Sequence, residues 1–198
     1  MIKNQDANKT VFEQQALQLL NEFSLIVNEK WFSLNLTGCN LIKSLSNHFA
    51  DLSNKEENKF YDEKLNVWKI NSATFGFMSE CNEIFDKLNE LLESFSFYLN
   101  RLTKINSNLI SLIGPDLEIF RIINFTSLKN DLADLCQCFH REFSFKSILI
   151  KKYLFESRFD HDLKIAILSS WMHQPYLDEL KLFKVNQVLN NYTNLNKK

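Results

Sequence analysis

The chain has 198 residues, with 23 basic and 24 acidic side chains and a formal net charge of -1. That length fits one domain able to bury a core without disulfide or metal staples, and a pI near 6.4 supplies no basic field for nucleic acid or an anionic membrane. Three glycines and two prolines leave little material for hairpins or phosphate-cradling loops, so long helices with few connections are expected.

The opening "MIKNQDANKTVFEQQ" lacks the apolar run of a signal peptide, and no later stretch is apolar enough to span a bilayer. Cys39, Cys81, Cys136 and Cys138 have no framework spacing and read as reduced thiols of the cytosol or nucleus. The "NLT" sequon at Asn35 then carries no meaning, since nothing delivers it to the secretory pathway.

A first helix is predicted over 10–49. Phe12, Ala16, Leu19, Phe23 and Ile26 begin an apolar stripe; Val27, Trp31, Leu34, Leu41 and Leu45 continue it one position over. This shift should turn the stripe around the helix and broaden its face. Gly38 marks either a close approach of two backbones or a local weakness. Residues 50–66, "ADLSNKEENKFYDEKLN", read as a charged linker between antiparallel helices.

The next helix is predicted over 72–113. Met78, Cys81, Phe85, Leu88, Leu92, Phe95, Leu99, Leu102, Asn106, Leu109 and Ile113 step by alternating threes and fours, a heptad seam. Asn106, its only polar member, either fixes register or faces water near the frayed end. Gly114 and Pro115 should cap and stop this helix.

A third helix is predicted over 124–159, with Leu128, Leu132, Leu135 and Phe139 on one seam and Cys136, Phe143, Ile150 and Leu154 widening it. A helical corner follows over 160–192. Asp160 should cap its first helix, which runs through Leu163, Ile167 and Leu168 to Trp171. Pro175 should end that helix and open another, whose apolar residues are Leu177, Leu180, Phe183, Val188 and Leu189. The expected fold is all-α: one elongated antiparallel helical bundle, 1–198, with coiled-coil-like long helices.

Catalytic chemistry has no recognisable seat. The P-loop, dinucleotide and nucleophile-elbow motifs are missing, as is H-E-x-x-H. In "CQCFH" a helix would put Cys136 and His140 on one face and Cys138 elsewhere, so no metal site is expected. Glu56 with Glu57, and Asp160 with Asp162, read as solvated or capping groups. His173 has no identifiable nucleophile or orienting carboxylate beside it. We expect a non-enzyme without cofactor.

"LSSWMHQPYLDELKL" resembles the C-terminal signature of the cyclin-dependent kinase 2-interacting protein family, a W-[hydrophobic]-H-Q-P-Y motif before a final helix. Trp171, His173, Gln174, Pro175 and Tyr176 match it. "NEFSLIVNEKWFSLNLTGCNLIKSL" resembles the family's N-terminal helix around K-W-x-x-L-N, matched by Lys30, Trp31, Leu34 and Asn35, and "LTKI", Leu102 to Ile105, is similar to a phrase in its central helix. The likeness runs from about residue 17 to 190. A Pro- and Ser-rich N-terminal extension of larger members is not found here.

The resemblance implies a nuclear adaptor, with the cytoplasm as a second location. The implied partners are cyclin-dependent kinase 2 with cyclin, Cdc7 kinase and the ATR-interacting protein, or else the subunits of a AAA+ ATPase complex acting in replisome proteostasis and large-ribosomal-subunit maturation. Neither nucleic acid nor membrane is implied as a direct partner. By itself, the stretch from Trp171 to Tyr176 reads in two compatible ways: as an interaction hot spot, or as a corner where rings lock two helices and His173 and Gln174 satisfy orphan backbone groups. No Ser/Thr-Pro site exists, so proline-directed phosphorylation is not expected. "KYLF", Lys152 to Phe155, fits a loose cyclin-docking pattern but should be helical and packed inward.

Overall fold

A computed structural model describes residues 2–59, 67–112, 125–154 and 160–195. These form five helices with no strand among them, so the fold is all-α. The first helix comprises α1 (Ile2–Leu25), a π-helical segment (Ile26–Trp31) and α2 (Phe32–Lys59). Next comes α3 (Val67–Leu112), 46 residues long. The third, α4 (Phe125–Ile148), ends in a second π-helical segment (Leu149–Leu154). Two short helices follow, α5 (His161–His173) and α6 (Glu179–Leu195).

Several boundaries differ from the sequence reading. The first helix continues through residue 59, so 50–59 of the expected linker are helical. Asp51 is exposed on this helix, and no glycine or proline interrupts the segment. Residues 60–66, and the expected cap at Gly114 and Pro115, lie outside the described residues. So does Phe155 of the "KYLF" stretch, whose Leu154 is buried in the second π-helical segment.

The shifted stripe of the first helix has a local cause. Ala16, Leu20 and Phe23 are buried on α1, then Ile26, Val27 and Trp31, then Cys39, Ile42, Leu45 and Phe49 on α2. In an α-helix, residues five apart lie about 140° from each other around the axis. The i→i+5 bonding of a π turn brings Ile26 and Trp31 into one column. The inserted residue is absorbed there, and the face does not broaden as expected. Leu149 and Leu154, both buried and also five apart, repeat the device at the end of the third helix.

The contacts group into two compact units where the sequence reads as one domain: residues 1–32, 96–142 and 176–198, and residues 33–95 and 143–175. In the first, Trp31 stands edge-on to Phe139, centroids 4.7 Å apart, among buried Leu99, Leu102, Leu132 and Leu135. Asn28 of the π-helical segment and Asn186 of α6 exchange two amide hydrogen bonds of 2.9 Å. Arg101 forms a two-point ion pair with Glu22; the planar guanidinium fork matches a carboxylate. Lys181 of α6 is similarly tied to Asp134 of α4.

In the second unit the seam of α3 is buried at Cys81, Leu88, Leu92 and Phe95, joined by Ile84 and Leu91. Met78 at its start is exposed. Asn106, farther along α3 in the first unit, is half-buried, with its side-chain oxygen sealed from solvent and without a hydrogen-bond partner.

Candidate functional site: an indole lock below an exposed turn

Asp160 caps α5 as expected, its carboxylate accepting from the Leu163 amide at 2.9 Å. The helix then runs to His173, where Gln174 adopts the left-handed conformation, φ 47° and ψ 63°, the chain's sole positive φ among the described residues. A left-handed residue after the last turn is the ordinary way to stop a helix, although usually it is Gly or Asn. Pro175 follows and bars continuation. The turn lies at Pro175–Tyr176 and α6 begins at Glu179, so Pro175 does not open α6. Asp178 does: its carboxylate accepts from the Lys181 amide at 2.9 Å and its carbonyl from Leu182 at 2.9 Å. A side-chain cap supplies an acceptor for orphan amides, which a prolyl φ alone does not.

Trp171 is 0% exposed. Its indole lies against Gly38 of α2 so closely that a Cβ there would stand 2.2 Å from Cζ2. Close approach is therefore what Gly38 provides. The indole Nε1 donates to the Asn35 carbonyl at 2.9 Å, and Phe95 meets the ring edge-on, centroids 6.1 Å apart. The ammonium of Lys146, also 0% exposed, sits 4.2 Å from the indole centroid. It donates to Asn35 Oδ1 at 2.7 Å and to the Trp171 carbonyl at 2.9 Å. A buried ammonium costs several kcal/mol unless hydrogen bonds and a π face replace its water; here both do. Three helices are tied in a closed ring of donors and acceptors, Lys146 to Asn35, Trp171 to Asn35 and Lys146 to Trp171.

Two phrases far apart in sequence thus meet: Asn35 from the "KWFSLN" stretch and Trp171 from "WMHQPY". Asn35 is 6% exposed, so in the folded chain the sequon is closed to modification. Lys146 escaped the sequence reading because a lone lysine on a helix is by default solvated.

The five signature residues divide. Trp171 is buried in the core, where a ring that locks two helices would stand. His173 and Pro175 are exposed and Gln174 is half-buried. Tyr176 is 45% exposed, with its backbone amide donating to Glu142 Oε2 at 3.1 Å. On α6, Leu180 and Phe183 are 63% and 58% exposed, whereas Val185 is buried. Of its expected apolar face, Leu180 and Phe183 stand outward, while Leu177 and Val188 are half-buried.

The "CQCFH" residues do not converge. Cys136 is buried, its thiol donating weakly to the Leu102 carbonyl at 3.9 Å, while exposed His140 has Nε2 3.2 Å from Thr103 Oγ1. Among the described residues no group of His, Cys, Asp or Glu is placed to hold a metal ion, and no helix is long and apolar enough to cross a membrane. In the second unit an open groove of about 560 Å³ is lined by Asn82, Phe85, Asp86, Asn89, Ile150 and Lys151.

Fold and site together define an all-α chain with a buried aromatic–cation lock next to an exposed His-Gln-Pro-Tyr turn. No family model, no curated protein and no solved structure matches it.

Proposed function

We propose that this chain is a non-catalytic helical adaptor of the cyclin-dependent kinase 2-interacting type, linking cell-cycle kinases to DNA replication and checkpoint machinery in the nucleus. The observation that carries the reading is the split within "WMHQPY". Trp171 anchors the segment from inside, and His173, Pro175 and Tyr176 are left exposed after it. An exposed Tyr offers apolar area with a polar handle, the combination favoured at interaction hot spots. Its partners in this reading are cyclin-dependent kinase 2 with cyclin, Cdc7 kinase and the ATR-interacting protein.

A second reading is favoured by Leu180 and Phe183. Permanent interfaces are more apolar than transient ones, which suits a structural subunit of a AAA+ ATPase complex acting in replisome proteostasis and large-ribosomal-subunit maturation. Affinity purification of the tagged chain from nuclear extract separates the two. The adaptor reading expects kinase and cyclin, lost on Tyr176→Ala with helicity by circular dichroism unchanged. Recovery of ATPase subunits and pre-ribosomal factors instead, lost on Leu180→Ser/Phe183→Ser, selects the second. Retention of kinase by Tyr176→Ala overturns the role given to the turn.

A further inference from the structure

In an α-helix the carbonyl of residue i accepts from the amide of residue i+4. For the Trp171 carbonyl that donor would belong to residue 175, and residue 175 is proline, which has no N–H. Pro175 also removes the six-to-one donor of a Schellman ending, the bond that would close on the Ser170 carbonyl. The Trp171 carbonyl, in the last turn of α5 and beside a fully buried indole, therefore lacks its α-helical i+4 donor. The Nζ of Lys146 stands 2.9 Å from it.

We infer that Lys146 is the positioning residue of the exposed turn: its ammonium replaces the amide that Pro175 removes, and so allows α5 to end abruptly. The motif's proline and a lysine 29 positions upstream form one unit. Proline stops the helix and sends the chain outward; lysine covers the polar group this uncovers. Asn35 holds the lysine in place through Oδ1 at 2.7 Å, and the indole face 4.2 Å away favours a cation over a neutral donor. Lys146 is 0% exposed; it acts on the turn through the end of α5. That the turn is the docking element rests on the function proposed above. The coupling of Lys146 to Pro175 does not.

A double-mutant cycle tests the coupling without any partner. Lys146→Met, Pro175→Ala and the double variant are compared by urea denaturation and by amide exchange in the last turn of α5. In the proline background, Lys146→Met should lower the denaturation midpoint and speed exchange of the Met172 and His173 amides about tenfold, the equivalent of one hydrogen bond. In the alanine background residue 175 has an amide of its own, the helix can continue, and the same substitution should shift the midpoint less than half as far. If Lys146→Met does not fold alone, recovery of folding in the double variant supports the inference and failure to recover overturns it. Equal shifts in the two backgrounds also overturn it, since they reduce Lys146 to a packing residue indifferent to Pro175. With the coupling confirmed, kinase recovery lost on Lys146→Met and kept by the double variant supports the turn as the docking element; kinase recovery unaffected by all three variants sinks the docking reading and leaves the coupling standing.

Discussion

Gly38 and Gly76 make a matched pair at the scale of single residues. Both sit inside long helices, where glycine normally costs roughly 0.5–1 kcal/mol relative to alanine. A Cβ at Gly76 would meet nothing within 4 Å, whereas one at Gly38 would collide with the Trp171 indole at 2.2 Å. Gly76→Ala should therefore raise stability by that propensity gain. Gly38→Ala should lower it by at least the ~1–3 kcal/mol typical of overpacking, because the ring it displaces is also bonded to Asn35 and stacked beneath Lys146. Chemical denaturation of the two variants checks both signs. A stabilised Gly38→Ala would show that the indole can move aside and that the lock is loose. Trp171 and Gly38 were each singled out by the sequence, but not as neighbours. Composition marks which residues are scarce, and only the fold brings residues 133 positions apart into one contact.

At the scale of helices, periodicity was most legible where helices are regular. The seam through Cys81, Leu88, Leu92, Phe95, Leu99, Leu102 and Leu109 is buried as read. It was least legible where an insertion hides in the pattern. The step from Ile26 to Val27 was visible as a slipped stripe, yet rotation of an α-helix and a π turn give the same local spacing, and only packing separates them. The end of α5 and the start of α6 show the same limit. Proline can stop a helix or start one; Gln174 in a left-handed conformation and the carboxylate of Asp178 decided for stopping. If Asp178 and Asp160 are the true starts, Asp178→Ala and Asp160→Ala should each cost about 1 kcal/mol, and Asn should restore most of it at either site. Glu179→Ala, one residue into α6, should cost only the few tenths of a dipole interaction. Equal losses for Asp178→Ala and Glu179→Ala in a denaturation series would move the start of α6 away from Asp178.

For the molecule as a whole, three buried thiols impose one direction on stability against pH. Burial pushes Cys136 up to about 12 from an ordinary value near 9. Burial also raises Cys81, with the neighbouring Glu80 adding to the effect, and raises Cys39, where Lys146 and Lys43 pull back. A thiol raised by folding is protonated in both states below about pH 9, so its contribution there is constant. Between 9 and 12 the unfolded chain releases the proton and the folded chain cannot, and stability falls by up to about 1.4 kcal/mol per pH unit for that group. The chain should therefore be fragile in alkali while its net charge of -1 at neutral pH adds almost no self-repulsion. Lysines and tyrosines titrate in the same window, so the test is a difference between two chains that share them. Cys136→Ala should be less stable than the parent at pH 7, having lost a buried side chain, and should close that gap as the pH rises from 9 towards 12. Denaturation midpoints measured at intervals of one pH unit would show the two curves converging. Curves that stay parallel would mean that the Cys136 thiol ionises as freely in the folded chain as in the unfolded one, which its place against the Leu102 carbonyl, away from water, does not permit.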